Sequence, residues 1–276
     1  MIKILSLLVF VMLLHQTAFA QVISGKIKDE NNHILPYVNI GIINEDKGTI
    51  SSKTGQFTID ITELDDEVIV RYSLIGFENM ELTLKELKSL DKPELTIILK
   101  SIPIDLDQID VSGSKGSPVR LGSQKAGKFS WIWSNAIKGD EIGMLFRVEN
   151  PFYLDKFSFH IKRNTCDSIY YRIRIYDGKE ELPVKTINQE DIRFMSKLKK
   201  GWETIDISRY NILIESDFII TMETLDSSCS EIYNPSRISM SDEVGLSYSR
   251  PSSMAEWLEL GNQMSFRIEG VEILDD

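Results

Sequence analysis

The 276-residue chain is 42% hydrophobic and 26% charged, with 31 Lys and Arg against 42 Asp and Glu for a formal net charge of −11. A surface of that sign repels phosphate backbones, which excludes nucleic acid as a partner, whereas calcium, a basic protein face or plain solubility suits it. The length allows two cores of ~100 to 150 residues each.

At the start, Lys3 precedes the apolar run Ile4 to Leu14, and Ala18-Phe19-Ala20 stands before Gln21. This order of charge, apolar run and small residues predicts a cleavable signal peptide over residues 1–20. Interrupted by His15-Gln16-Thr17, the run falls short of the ~18 continuous apolar residues a membrane-spanning helix needs. Loss of Lys3 with the leader takes the net charge to −12. No Cys stands directly after the cleavage site to take an acyl anchor, and no later segment is long and apolar. The expectation is an exported protein without a transmembrane segment, in the periplasm or at the outer-membrane surface.

From Val22 onward short alternating runs are separated by turn residues. Val22 to Asp29, Tyr37 to Asn44, Gly48 to Ser51, Gln56 to Ile61, Glu67 to Leu74, Glu78 to Leu84 and Glu94 to Lys100 each suit a strand. Asn31-Asn32, Lys47-Gly48 and Thr54-Gly55 supply turns that need positive φ or local side-chain hydrogen bonds. Seven strands at this spacing predict a β-sandwich.

Pro36, Val38, Asn39, Gly48, Thr49, Gly55 and Phe57, followed by the Ile75-Gly76-Phe77 corner, carry a resemblance to the carboxypeptidase-regulatory-like (transthyretin-like) domain. That module accompanies secreted enzymes and the N-termini of TonB-dependent outer-membrane receptors. The resemblance covers residues 22–100 and implies an accessory sandwich without catalytic residues. Three residues depart from it. Tyr37 stands where the family usually has Gly, and Ser52 and Thr54 replace acidic residues of a turn, which removes the carboxylates a cation would need there. Leu106-Asp107-Gln108-Ile109-Asp110-Val111 resembles the phrase that follows this domain in the receptors, but the ~160 remaining residues are too few for a plug and barrel.

Gly113, Gly116, Ser117 and Pro118 lower the propensity for regular structure. The expected organisation is a first sandwich over 21–101, a final strand and linker over 102–128, and a second unit over 129–276. The second unit is again strand-rich, in Phe129 to Trp133, Glu141 to Glu149, Tyr153 to Lys162, Ile169 to Tyr176, Trp202 to Ile207, Asp217 to Glu223, Val244 to Tyr248 and Met264 to Glu272. Eight strands suit a jelly-roll-like sandwich. Along Tyr170 to Tyr176, Tyr171, Ile173 and Ile175 share one face and Arg172 and Arg174 the other. Gly201-Trp202-Glu203-Thr204-Ile205-Asp206-Ile207 resembles a phrase of galactose-binding-like jelly rolls. Only Ile187 to Leu198 suits a short helix.

Neither His33, in a turn, nor His160, on the polar face of a strand, has a sequence neighbour that would make a metal or nucleophile set. No metal, cofactor or catalytic residue is expected. Glu203, Glu215, Asp217 and Glu223 leave a paired-carboxylate glycoside hydrolase as an alternative. Trp131 and Trp133 share a face with Phe129 and suit core packing or stacking on sugar rings, while Trp257, flanked by loop residues, is the candidate for an exposed contact. Cys166 and Cys229, both in loop signals, suit a disulfide in an oxidising compartment. The fold expected is all-β, and the function is a non-catalytic envelope protein binding a glycan or a protein. A structural adapter docking by an added edge strand is the other alternative. Trp257→Ala on a glycan array would separate the two. Oligomeric state is not encoded in any of these signals.

Overall fold

The computed structural model describes residues 21–90, 95–102, 115–133, 139–183, 185–229 and 236–273. The expected signal peptide over 1–20 and the final strand around 105–111 lie outside these residues. Among them no helix is long and apolar enough to cross a membrane.

The first unit is a two-sheet sandwich. Strands β1 (Val22–Asp29), β4 (Gln56–Asp60) and β7 (Leu95–Leu99) form one sheet in the order β4-β1-β7, β1 running antiparallel to β4 and parallel to β7. Strands β2 (Asn39–Ile42), β3 (Gly48–Ile50), β5 (Ile69–Ser73) and β6 (Met80–Thr83) form the other, ordered β3-β2-β5-β6. Alternation drives the pairing of the layers: Phe57 and Ile59 of β4 and Leu95, Ile97 and Leu99 of β7 point inward against Ile40, Ile42, Val70 and Tyr72. Each fully buried aliphatic or aromatic side chain stabilises the sandwich by roughly 1.5–3 kcal/mol. Gly55 and Gly76, both at positive φ, take the turn positions that a Cβ would strain. In the Ser52-Lys53-Thr54-Gly55 turn the Ser52 hydroxyl accepts hydrogen bonds from the Thr54 and Gln56 amides, both at 3.2 Å, the work a carboxylate would otherwise do.

One element departs from the expected strands here. Leu84–Leu90 is a helix, α1, where the run Glu78 to Leu84 reads as strand to its end. Its start is a capping box: the Glu86 amide donates to Thr83 Oγ1 at 3.2 Å while Glu86 Oε2 accepts from the Thr83 amide at 2.7 Å. Leu84 and Leu87, three residues apart, are buried on the same face.

The second unit is one continuous twelve-stranded sheet. Its path is β13 (Ile192–Ser196), β12 (Ile169–Asp177), β16 (Phe218–Ser227), β10 (Glu141–Phe146), β17 (Ser236–Arg250), β11 (Phe152–Asn164), β19 (Phe266–Ile273) and β8 (Lys115–Gly122). Strands β14 (Gly201–Asp206) and β15 (Ile212–Ile214) join β11, while β9 (Phe129–Trp133) and β18 (Leu258–Met264) join β17. The long strands β11 and β17 change partners along their length, with register shifts at Ile161/Arg163 and between Met240 and Ser247, and such irregularities bend a sheet. The sheet thereby curls over its own core. Phe159 of β11 meets Tyr171 of β12 and Phe194 of β13 at ring separations of 5.9 and 5.8 Å, although β11 pairs with neither strand.

Two expectations are corrected in this unit. Ile187 to Leu198 contains strand β13 and no helix, because Ile192 and Arg193 pair with Ile173 and Arg172 in a sheet already alternating at period 2. The stretch expected as linker contains β8, whose Gly-Ser-Pro content is tolerated because it is an outer strand paired, among the described residues, only to β19.

Cys166 and Cys229 form a disulfide closing 63 residues. Loop-closure entropy sets its contribution at about 4 kcal/mol. Replacing both cysteines by serine is expected to lower the unfolding free energy by an amount of that order, read as a shift in denaturant midpoint without a change in slope.

Candidate functional site

The two units meet on the polar face of β12. Its apolar face, Tyr171, Ile173 and Ile175, enters the second core, and its other face carries Arg172, Arg174 and Tyr176, all buried. Register places Arg172 opposite Glu223 of β16, Glu223 opposite Glu141 of β10, and Glu141 opposite Arg250 of β17. One row across four strands therefore reads Arg-Glu-Glu-Arg. Arg172 Nη1 lies 2.9 Å from Glu223 and Arg250 Nη2 2.6 Å from Glu141. Arg174, one pair along, reaches both carboxylates at 3.0 and 3.3 Å. Asp191 closes the row at Arg172 Nε, 2.7 Å away, and the Tyr176 hydroxyl donates to Glu141 at 3.1 Å.

The first unit inserts into this row. Asn39 of β2 accepts from Arg172 and Arg174 at 2.6 Å each through Oδ1 and donates to Glu223 through Nδ2. The Tyr37 carbonyl accepts from Arg172 Nη2. Tyr37 itself stands at φ 60°, a left-handed conformation that costs a non-glycine residue ~1–2 kcal/mol. Its ring packs on Tyr170 at 5.1 Å and lies under the Arg193 guanidinium at 5.4 Å, contacts that a glycine would forgo. Ile50 and Leu225 join the same patch.

A second contact is steric. Gly41 and Gly48 pair across β2 and β3, and a Cβ on either would come within 2.6 Å of Met254 or 2.5 Å of Ser252. Two adjacent side-chain-free positions thus let the 251–254 loop lie flat on the sheet.

Beside this contact a cleft of about 580 Å³ opens between the units, walled by Arg71 and Ser73 of β5 and the 74–79 corner on one side, and by Arg174, Tyr176 and Arg250 on the other. Electrostatics differ sharply across the buried row. Burial works to raise the Glu141 carboxyl, but Arg250 and Arg174 outweigh it and hold the group below the ordinary range. Asp140, next in sequence and without an ion-pair partner among the described residues, is pushed up to about 7 by burial and by the charges of Glu141 and Glu223.

Where do the residues nominated by sequence fall? Glu223 is locked in the row; Glu203 receives the Ser196 hydroxyl, Asp217 binds Arg147 at 2.6 Å, and Glu215 is exposed. Glu203, Asp217 and Glu223 thus each engage a different partner. His33 pairs with Asp29 in its turn at 3.0 Å. His160 contacts Ser239 at 2.8 Å and Trp202 edge-on, its pKa lowered by burial and by Lys200 and Lys162. Trp257 is half-buried, contrary to the expectation of an exposed contact. Its indole donates to the Pro183 carbonyl at 3.1 Å, carries Arg250 over its ring at 4.2 Å, and meets Tyr176 and Tyr248 edge-on. The short loop after Pro251 is pinned by these partners, which loop-forming residue types do not disclose. Trp131 packs against the second core; of Trp133 only its strand pairing, opposite Ser236, is described. Among the described residues no group of three or more His, Cys, Asp or Glu side chains could hold a metal.

The residues missed by sequence reasoning are Asn39, Arg172, Arg174, Glu141 and Arg250. Their signal was alternation of charge with apolar residues on strands, which a solvated face produces equally well.

Residues 23–111 match the CarboxypepD_reg-like domain family. No curated protein matches the sequence. Among solved structures, the cysteine protease and lectin-like domains of Cwp84, a surface layer associated protein of Clostridium difficile, align at 10% identity and a TM-score of 0.43, covering 92% of this chain and 59% of that one. A T13 particle of infectious bursal disease virus (IBDV) aligns at 8% identity and a TM-score of 0.29, over 92% of this chain and 62% of the viral one. This chain thus spans about three-fifths of the length of each, and neither likeness carries an argument about function.

Asn39→Ala removes the shared acceptor of two buried guanidinium groups and is expected to cost about 2–4 kcal/mol, with calorimetry resolving two transitions where the wild type shows one. For Asp140 the sign follows from its raised pKa: the folded state holds the proton more tightly than the unfolded, so stability is highest below pH 4 and declines until about pH 7. At 1.36 kcal/mol per pH unit the decline approaches ~4 kcal/mol. Asp140→Asn is expected to raise the melting temperature at pH 8 and leave it nearly unchanged at pH 4.

Proposed function

From the premise that residues 23–111 are a CarboxypepD_reg-like domain, we infer that the protein is a non-catalytic, exported binding or accessory module of the cell envelope, taking a glycan or a protein in the cleft between its two units. The observation that carries this reading is the construction of the cleft. Its walls come from both units and are held by a buried ionic row, so the cavity has a fixed shape, as ligand sites usually do. A merely tethered pair of domains would bury a smaller and more solvated contact.

Non-catalytic action fits the chemistry around the cleft. Glu141 and Glu223 lie behind arginines that neutralise them, and neither is placed as an acid or base facing the cavity. Export fits the disulfide, which persists in oxidising compartments, and the leader sequence.

The test is capture from envelope extract with the mature protein and with Ser73→Trp, which fills the cleft from the half-buried C-terminal end of β5. Retention of a saccharide or protein by the wild type and its loss in Ser73→Trp is the expected outcome. Equal retention by both would remove the cleft as the binding face, and turnover of common glycan or peptide substrates would defeat the non-catalytic reading.

A further inference from the structure

We propose that the interdomain cleft recognises an acidic saccharide, one carrying carboxylates among its hydroxyl groups. This rests on the cleft being the ligand face and names the chemistry it selects.

Charge is the first observation. Among the described residues lining the cleft are three arginines, Arg71, Arg174 and Arg250, and no Asp or Glu, in a chain whose net charge is −11. The carboxylates that balance Arg174 and Arg250 are fully buried behind them in the sheet, so the cavity sees guanidinium edges first. A concave surface of one sign with low-dielectric walls focuses the field on its opening. Guanidinium groups, planar and permanently charged, bind carboxylates bidentately.

Donors remain for such a ligand. Arg71 spends Nε and Nη2 on Glu81 at 2.6 Å each and turns Nη1 toward the Met254 sulfur at 3.3 Å, a weak acceptor that a carboxylate would readily displace. Arg174 uses both terminal nitrogens in the ionic row and leaves Nε without a partner among the described residues. Ser253, 4% exposed, also lines the cleft, and its hydroxyl, packed beside Gly41, has no hydrogen-bond partner among the described residues.

The remaining lining separates saccharide from peptide. Ser73, Asn79, Thr186 and Gln189 offer neutral donors and acceptors suited to ring hydroxyl groups, and half-buried Phe77 offers an apolar face. An extended peptide docks by adding a strand to an open sheet edge. The strands that line the cleft, β5, β12 and β17, are all internal to their sheets. These strands therefore present side chains to the cavity and no open sheet edge.

The experiment measures binding of hexagalacturonate, the neutral maltohexaose and hexaglutamate by isothermal titration calorimetry. It uses the mature protein, Arg71→Gln and Asn79→Asp. Both substitutions sit at solvent-accessible positions outside the buried row, so folding is preserved, and matched melting temperatures check this. Hexagalacturonate is expected to bind, to weaken at least tenfold in each variant, and to weaken as salt rises. Equal binding of maltohexaose would overturn the acidic specificity, and preference for hexaglutamate would overturn the saccharide, while both would leave the cleft as a ligand face. Hexagalacturonate binding that neither variant changes, or no binding of any probe, would overturn the proposal. The Ser73→Trp capture then decides separately whether the cleft binds at all.

Discussion

Four side chains in one row, Arg172, Glu223, Glu141 and Arg250, fix how this molecule is put together. Stripping water from three guanidinium groups and their carboxylates is expensive, and attraction between them repays it only when each remaining donor and acceptor is satisfied. Neighbouring β-strands provide the spacing, since residues directly opposite sit ~4.5–5.5 Å apart. The last partners come from outside the sheet. Asn39 and the Tyr37 carbonyl complete Arg172 and Arg174, so the row is satisfied only with the first unit docked in one orientation.

Other features of the contact follow from that orientation. Tyr37 holds a left-handed backbone, and the cost is offset by its ring contacts with Tyr170 and Arg193. Gly41 and Gly48 supply the flat surface on which Ser252, Ser253 and Met254 rest. The same loop carries Trp257 back onto Arg250. Asp140 is the surplus charge beside an otherwise balanced set, which is why burial and like charge raise its pKa. The cleft inherits its rigidity and its sign from this assembly: carboxylates face inward toward the sheet, guanidinium edges outward toward the cavity.

Much of the architecture was legible in one dimension. Short alternating or apolar runs between turn signals located all seven strands of the first sandwich; β4, β5 and β7 bury one face and expose the other, while β2 is buried on both. Helix α1 escaped that reading although Thr83 and Glu86 spell a capping box; its single turn or two of apolar residues continues a strand pattern without a break. Ile187 to Leu198 misled in the other direction, its polar spacing resembling a short amphipathic helix while the edge of β12 was waiting for a partner. Trp257 looked exposed because its flanking Ser and Pro residues are those of a loop, and a loop's burial depends on what it lands on.

The sequence by itself determined the strands of the first unit, the all-β class, the N-terminal domain and the pair of cysteines, since each depends on local alternation, turn chemistry or residue type. Only tertiary structure decided that the charged face of β12 is buried, that Asn39 belongs to an ionic row more than a hundred residues away, and that a cleft lies alongside. A strand face bearing arginines looks the same in one dimension whether water or another domain covers it. Desolvation, which turns those charges from solubilising groups into the joint of the molecule, is a property of what comes to rest against them.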